Sequence, residues 1–224
     1  MPHDLADVAI VFDLDGTLVD TAGDLTAAMN HALGEAGLAP APEARVRHLV
    51  GHGARAMLAR GFEEHGQKPS REEMDAHLAV FLDYYAAHIA DHSRAFPEAV
   101  PIIDRLRRAG AKTAICTNKR EKLSRLLIDA LGMTGLFDTI VGMDTAAAAK
   151  PDPAPVRLCL ERARAKAGVF IGDSDTDVKA AKAAGLPALV AEFGYGPLSL
   201  AHEAFATFSD YAALPGLIEK ALNR

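Results

Sequence analysis

Cysteine is scarce: only Cys116 and Cys159 occur in 224 residues. They stand far apart and lack metal-ligand spacing, which argues against a disulfide framework or a zinc site. Reduced thiols, as in the cytosol, are the expected state. Long hydrophobic runs are missing too, since no stretch approaches the roughly 18 apolar residues of a membrane span. Residues 1–7 carry acids and no long apolar run, so no secretory signal is expected there. A cytoplasmic location without a membrane partner is the expectation. Positive charge is not in excess: Lys+Arg is 24 against Asp+Glu 30, a formal net charge of −6. That balance argues against a nucleic-acid backbone as the main ligand. It leaves room for a small anion, because a site can be locally positive on an acidic chain. No Walker lysine loop and no internal repeat is found, and low complexity is confined to the short alanine run at 146–149.

Half of the residues are hydrophobic, enough for a sizeable core in one large domain or one domain plus a smaller module. Short β-branched runs predict strands at 8–12, 112–116, 139–143, 168–172 and 187–193, with a weak sixth at 206–208. Helical patterns at 98–109, 119–131, 153–165 and 176–184 lie between them and end near glycines or polar loops. Continuous apolar strands alternating with helices imply an α/β fold with a Rossmann-like, doubly wound parallel sheet covered on both faces. The alternation breaks after Asp20. About 75 residues without a good strand follow, far too many for a loop. Leu25, Ala28, Met29, Ala32 and Leu33, then 54–62 and 74–89, carry helical periodicity. The expected division is a catalytic core of 1–19 and 96–224 with an inserted helical module of 20–95. That module would sit over the C-terminal edge of the sheet, where open α/β folds bind ligands.

Asp13-Leu14-Asp15-Gly16-Thr17 directly follows the first strand. The first carboxylate can face a ligand above the sheet, and the second can serve beside it as acid or base. Two buried carboxylates without a partner are costly, so a cation is expected. Asp-Gly alone also makes ordinary turns. Thr117-Asn118 ends the second strand just before a helix, where free N–H groups suit phosphate, although a plain helix cap has the same form. Lys150-Pro151-Asp152-Pro153 puts a lysine ahead of another helix; alone, it fits a solvated turn. Gly172-Asp173-Ser174-Asp175-Thr176-Asp177 closes the fourth strand with alternating acids. A calcium loop of the EF-hand kind would need Gly and Glu where Val178 and Ala184 stand, so a strand-end Mg²⁺ cluster fits better. His88 and His92 have the i, i+4 spacing of zinc ligands, but Asp91 lies between them and no third ligand is obvious; a solvated helix face fits better. Gly172-Asp173-Ser174 begins like a nucleophile elbow, but Thr176 replaces the closing glycine, against a serine hydrolase.

Taken together and in this order, the clusters resemble the haloacid dehalogenase superfamily of phosphohydrolases over nearly the whole chain, with 20–95 matching that family's helical cap. Residues 12–20, Gly51-His52-Gly53, Thr117-Asn118-Lys119 and Phe193-Gly194-Tyr195-Gly196 look most like its phosphoglycolate phosphatase branch. The resemblance implies a Mg²⁺-dependent phosphomonoester hydrolase acting on a small phosphorylated metabolite through an aspartyl-phosphate. It implies Asp13 as nucleophile and Asp15 as the acid that protonates the leaving oxygen and then activates water. It implies metal ligation by Asp13, the Asp15 carbonyl and Asp173, with Asp177 nearby, and phosphate binding by Gly16, Thr117, Asn118 and Lys150. Substrate selection is expected in the cap, where Arg47 and Arg55 bracket Gly51, His52 and Gly53; glycines admit a small ligand and an arginine can clamp a carboxylate. A monomer or homodimer is expected. The alternatives are a sugar-phosphate phosphatase or phosphoglucomutase-like phosphotransferase of the same family and, from another class, a phospho-accepting receiver domain. A receiver would carry its aspartate in the middle of a shorter chain without a cap. Dehalogenation is disfavoured, since it needs no leaving-group acid like Asp15.

Overall fold

The computed structural model describes residues 5–223. Residues 1–4 of the expected leading core segment, and Arg224, lie outside the described residues. The first element among the described residues is β1 (Val8–Phe12), whose side chains are buried almost throughout. The remaining strands of the main sheet are β4 (Lys112–Cys116), β5 (Thr139–Val141), β6 (Ala167–Gly172), β7 (Ala188–Ala191) and β8 (Ala206–Phe208), after a two-stranded ribbon of β2 (Val19–Asp20) and β3 (Arg94–Ala95). The main sheet has the order β5-β4-β1-β6-β7-β8, and every adjacent pair is parallel. Successive residues of β1 point to opposite faces. Ile10 and Phe12 therefore enter one core and Ala9 and Val11 the other. Both faces are dry, which is why the strands read as unbroken apolar runs instead of alternating ones.

Helices α7 (Ala154–Ala163) and α8 (Asp175–Ala184) bury Val156, Cys159, Ala180 and Ala181 on the Ala9 face. Helices α5 (Ala99–Arg108), α6 (Glu121–Ala130) and α9 (Leu214–Leu222) bury Ile103, Leu106, Leu127 and Ile218 on the Ile10 face. The sheet is thus doubly wound. Because its strands run parallel, β1, β4 and β6 deliver Asp13, Thr117 and Asp173 to one edge.

Between β2 and β3 lie four α-helices, α1 (Ala22–Glu35), α2 (Glu43–Val46), α3 (Ala54–Glu64) and α4 (Arg71–Ala87), with a single 3-10 turn at Arg47–Leu49 after α2. The buried stripe of α1, with Leu25, Ala28, Met29, Ala32 and Leu33, packs against α3 and α4 through Met57, Phe62, Phe81 and Tyr85. Pairing of β2 with β3 is antiparallel, so the segment leaves and rejoins the sheet domain at one place. Asp24 fastens that junction: its carboxylate accepts from the His92 N–H (2.9 Å) and from the Ser93 N–H (2.8 Å) and hydroxyl (2.6 Å).

Several boundaries differ from expectation. Helix α4 starts three residues ahead of 74 because Ser70 caps it: Glu73 N–H donates to Ser70 Oγ (3.2 Å), and Ser70 N–H to Glu73 Oε2 (2.7 Å). The same helix ends at Ala87, so His88 and His92 do not share a helix face. His88 is the C-cap, with Nδ1 2.8 Å from Asp91 Oδ2. Helix α6 begins at Glu121, after an extended Arg120, so Thr117 and Asn118 precede it by a turn of loop instead of capping it. Strands β5 and β7 stop at Val141 and Ala191, short of the expected ends.

Candidate active site

Asp13 is the first residue past β1 and is buried. Its N–H still bonds the Ile171 carbonyl of β6 at 2.8 Å, which fixes the backbone. Its Oδ1 accepts from the Leu14 N–H at 2.7 Å and lies 2.8 Å from the Lys150 ammonium. Lys150 also donates to Asp177 Oδ1 at 2.7 Å. The other oxygen of Asp177 accepts from Ser174 Oγ (2.7 Å) and from the N–H groups of Ser174 (3.1 Å) and Asp173 (3.2 Å), so the start of α8 orients it. Asp173 is held by Thr17 Oγ1 at 3.1 Å and by the N–H groups of Tyr195 (2.7 Å) and Gly196 (3.3 Å).

Burial, helped by Asp177 and Asp173 and opposed by Lys150, pushes Asp13 up to about 8. Burial and Asp177 push Asp173 up to about 6. Burial alone would lower Lys150, but Asp13 and Asp177 outweigh it and raise the ammonium above its ordinary value. The group therefore holds three carboxylates against one ammonium.

That imbalance is the test for a metal. Asp13, Asp173 and Asp177 each offer an oxygen, all within 4.8 Å of one another and all buried. A recess of about 10 Å³ lies among these residues with Asp15, Asn118 and Lys150, the scale of one water or ion. Oxygen donors of this kind suit a hard divalent cation, and its two charges would balance the cluster. The residues present fit Mg²⁺.

Asp15 faces the other way. Lys119 donates to both its oxygens, at 2.7 and 2.9 Å, and Thr21 Oγ1 donates at 2.7 Å. Burial lowers Lys119, but the Asp15 carboxylate more than offsets this and the ammonium is raised. The Asp15 side chain thus stands outside the metal-fitting trio. Gly16 has φ +81°, and a Cβ there would lie 2.4 Å from Asp173 Oδ2. The glycine lets the chain pass against the acid cluster. Its own N–H is taken by the Val19 carbonyl at 3.0 Å.

Thr117 is buried, and its Oγ1 accepts from the Lys119 N–H at 3.1 Å. Asn118 braces the Lys150 loop twice, accepting from the Lys150 N–H (3.0 Å) and donating to its carbonyl (3.1 Å), and reaches the Gly51 carbonyl at 3.4 Å. One side chain therefore links two sheet-edge loops to the helical segment.

A cavity of about 240 Å³ opens over Asp13 and Asp15, between the sheet edge and the helices. Gly51, His52, Gly53 and Arg55 all line it, beside Thr117, Asn118 and Lys119. Arg55 is half exposed and paired with Asp75. Arg47 is placed elsewhere. Its guanidinium bonds Asp20 at 3.0 Å and Glu43 at 3.4 Å and lies 4.6 Å from the centre of the Tyr195 ring. The Tyr195 hydroxyl donates to Asp20 and accepts from the Thr21 N–H (2.7 Å) and Ala22 N–H (3.2 Å). Sequence reasoning assigned no role to Thr17, Thr21, Tyr85, Lys119 or Tyr195. Thr17 and Lys119 stood inside motifs already singled out but without a role of their own, Thr21 carries no local signal, and Tyr85 reads as one more core residue of a helix. Tyr195 lies in a glycine-flanked stretch whose value depends on meeting Asp173.

A parallel sheet that gathers an aspartate pair, a hydroxyl, a lysine and further acids at one edge defines a phosphoryl-handling hydrolase. The chain belongs to the haloacid dehalogenase-like hydrolases, matching that family over residues 10–191, and is a phosphatase. Its relatives narrow the class. A phosphoglycolate phosphatase of Caulobacter vibrioides is 44% identical over 195 residues, 86% of this chain and 82% of that one. One of Mesorhizobium japonicum is 44% identical over 188 residues, 83% of each chain. The crystal structure of a predicted phosphoglycolate phosphatase from Haemophilus somnus superposes with a TM-score of 0.88 at 27% identity, covering 97% of this chain and 99% of that one. No helix among the described residues is long and apolar enough to cross a membrane.

Proposed function

We propose that this phosphatase hydrolyses 2-phosphoglycolate with Mg²⁺, through a phosphoryl group carried on Asp13. The observation that carries the reading is the buried Asp13 carboxylate, tethered through one oxygen by Leu14 and Lys150 on the floor of a cavity. The names of the relatives support the substrate. Asp13, Asp173 and the Asp15 carbonyl would hold the metal, with Asp177 behind them. Bound there, Mg²⁺ supplies charge neutralisation, offsetting repulsion between a carboxylate nucleophile and a phosphate dianion.

Asp13 attacks phosphorus and takes the phosphoryl group as the ester oxygen leaves. Thr117, the Asn118 backbone and Lys150 hold the phosphoryl oxygens and spread their charge. Asp15 gives its proton to the leaving oxygen. The carboxylate that results removes a proton from a water that attacks the phosphorus, which breaks the bond to the Asp13 oxygen, releases phosphate and restores Asp13, so one residue serves both steps. Residues 20–95 act as a cap that closes over the sheet edge and excludes bulk water.

The test is phosphate release from 2-phosphoglycolate, sugar phosphates and an aryl phosphate, with Mg²⁺ and after chelation. 2-Phosphoglycolate is expected to be preferred, metal removal to abolish turnover, and Asp13→Asn to lose at least about a thousandfold in kcat while staying folded. Steady turnover by a deamidation-checked Asp13→Asn protein would end the covalent reading. Phosphate release only with a sugar-phosphate acceptor present would identify a mutase instead.

A further inference from the structure

Lys119 is a buried cation that the mechanism above leaves unused. Its side chain is 6% exposed, and it lines the cavity over Asp13. An ammonium has three N–H donors. Two reach Asp15 Oδ1 and Oδ2, which leaves one.

Tyr85, on α4 of the helical segment, covers Lys119 from above, with the ammonium 4.8 Å from its ring centre. The residue is 1% exposed, and its hydroxyl, although close to the Lys119 ammonium, has no partner of good hydrogen-bond geometry among the described residues. A buried hydroxyl left unpaired is costly, and an explanation is owed for it. Tyr85 also lines the same cavity. The third N–H of Lys119 and the O–H of Tyr85, one charged donor and one neutral, therefore meet beside Asp15.

The other cations of that cavity are placed differently. Arg55 is half exposed and paired with Asp75, and Arg120 is exposed. The wall next to Tyr85 is apolar, with Leu25, Phe81 and Leu82.

We infer that Lys119 and Tyr85 form the receptor for the carboxylate of the substrate, one donor to each oxygen. This rests on the proposed substrate, in which a single methylene separates the ester oxygen from the carboxylate. An ester oxygen within reach of Asp15 puts that carboxylate one bond-pair further on, beside the group that already touches Asp15. Selection for a short anionic leaving group is then shared between the sheet edge, through Lys119, and the cap, through Tyr85. Closing the cap completes the receptor. A phosphate ester of a neutral alcohol leaves both donors unanswered.

The test compares 2-phosphoglycolate with its carboxamide, an uncharged analogue of nearly the same shape, on the full-length protein with Mg²⁺. The unmodified enzyme is expected to prefer the acid by about tenfold or more in kcat/KM, as charge-assisted hydrogen bonds imply. Lys119→Met should remove most of that preference. Tyr85→Phe should cut it several-fold, mainly through KM, because the ring and its packing stay and only the hydroxyl goes. Tyr85→Phe decides the matter should Lys119→Met fail to fold. Undiminished preference for the acid in Tyr85→Phe and in any folded Lys119→Met would overturn the receptor and leave the substrate assignment standing. An unmodified enzyme that does not turn over 2-phosphoglycolate, or does not prefer it to the carboxamide, would remove the substrate reading and this receptor with it.

Discussion

Asp13 and Asp15 are separated by one residue yet sit in different electrostatic surroundings. Asp13 shares Lys150 with Asp177, whereas Asp15 has Lys119 and the Thr21 hydroxyl. Neighbouring carboxylates with separate partners can take separate roles, one as nucleophile and one as acid and base. Asp15→Asn keeps the shape and removes the transferable proton. Hydrolysis of 2-phosphoglycolate should then fall by about 10²–10⁴-fold. An aryl phosphate, whose leaving group needs little protonation, should lose much less. Steady-state kinetics on both substrates should show the aryl-to-alkyl activity ratio rising in the variant. An unchanged ratio would place the leaving-group acid elsewhere.

Elements, more than single residues, place the loop at 51–53 that lines the cavity. The β2–β3 ribbon returns the helical segment to its point of departure, and Asn118 reaches across to the Gly51 carbonyl. Gly53 stands at the N-terminus of α3 with φ 88° and ψ 152°, a conformation essentially reserved for glycine. A Cβ at that position would meet nothing within 4 Å, so a larger residue is opposed by its own backbone and not by a clash. Gly53→Leu is expected to cost about 1–3 kcal/mol of local strain and to reshape the loop that lines the cavity. Activity on 2-phosphoglycolate should drop about tenfold more than activity on an aryl phosphate, since the latter asks less of substrate positioning. Equal losses on both, with the circular dichroism spectrum preserved, would move selectivity away from this loop. Arg47, the other candidate from the same stretch, instead joins Asp20 and Tyr195. It connects the helical segment to a residue whose N–H holds Asp173.

For the molecule as a whole, the acid cluster is a liability when no cation balances it. Asp13 is pushed up to about 8 and Asp173 up to about 6, both from 3.8. Between the ordinary value and those raised values, the folded protein binds protons that the unfolded chain has already released. Stability therefore falls as pH rises through that window. Metal-free protein is expected to melt at a lower temperature at about pH 8 than at about pH 5. Mg²⁺ should raise Tm more at the higher pH, because it then meets ionised ligands. Asp13→Asn should flatten the metal-free slope. Melting curves with Mg²⁺ and with a chelator across that range check this, and a Tm that rises with pH in the chelated protein would contradict the charge balance of the cluster.

The apolar strands, the break after Asp20 and the polar clusters were legible in the sequence, because each is local. A strand buried on both faces must be apolar throughout, a long segment with helical periodicity cannot be a loop, and a polar residue directly after a buried strand must lie at the sheet edge. Asp13, Asp15, Thr117 and Asp173 could be singled out on that ground, whereas Lys150, nine residues past β5, and Asp177, inside α8, stood out only through the order of the clusters as a set. Helix starts at Arg71 and Glu121 were less legible, since Ser70 acts through a reciprocal cap and Arg120 through an extended backbone. Pairing was decided only by the tertiary structure. Lys150 lies 137 positions from Asp13 and Lys119 104 from Asp15, and no sequence pattern says which ammonium meets which carboxylate. Tyr85 is written as an ordinary core residue of α4, and the meeting of its buried hydroxyl with Lys119 becomes visible only once that helix is laid over the sheet edge. Local burial and backbone conformation follow from neighbours along the chain, whereas the balance of buried charge depends on groups that only folding brings together.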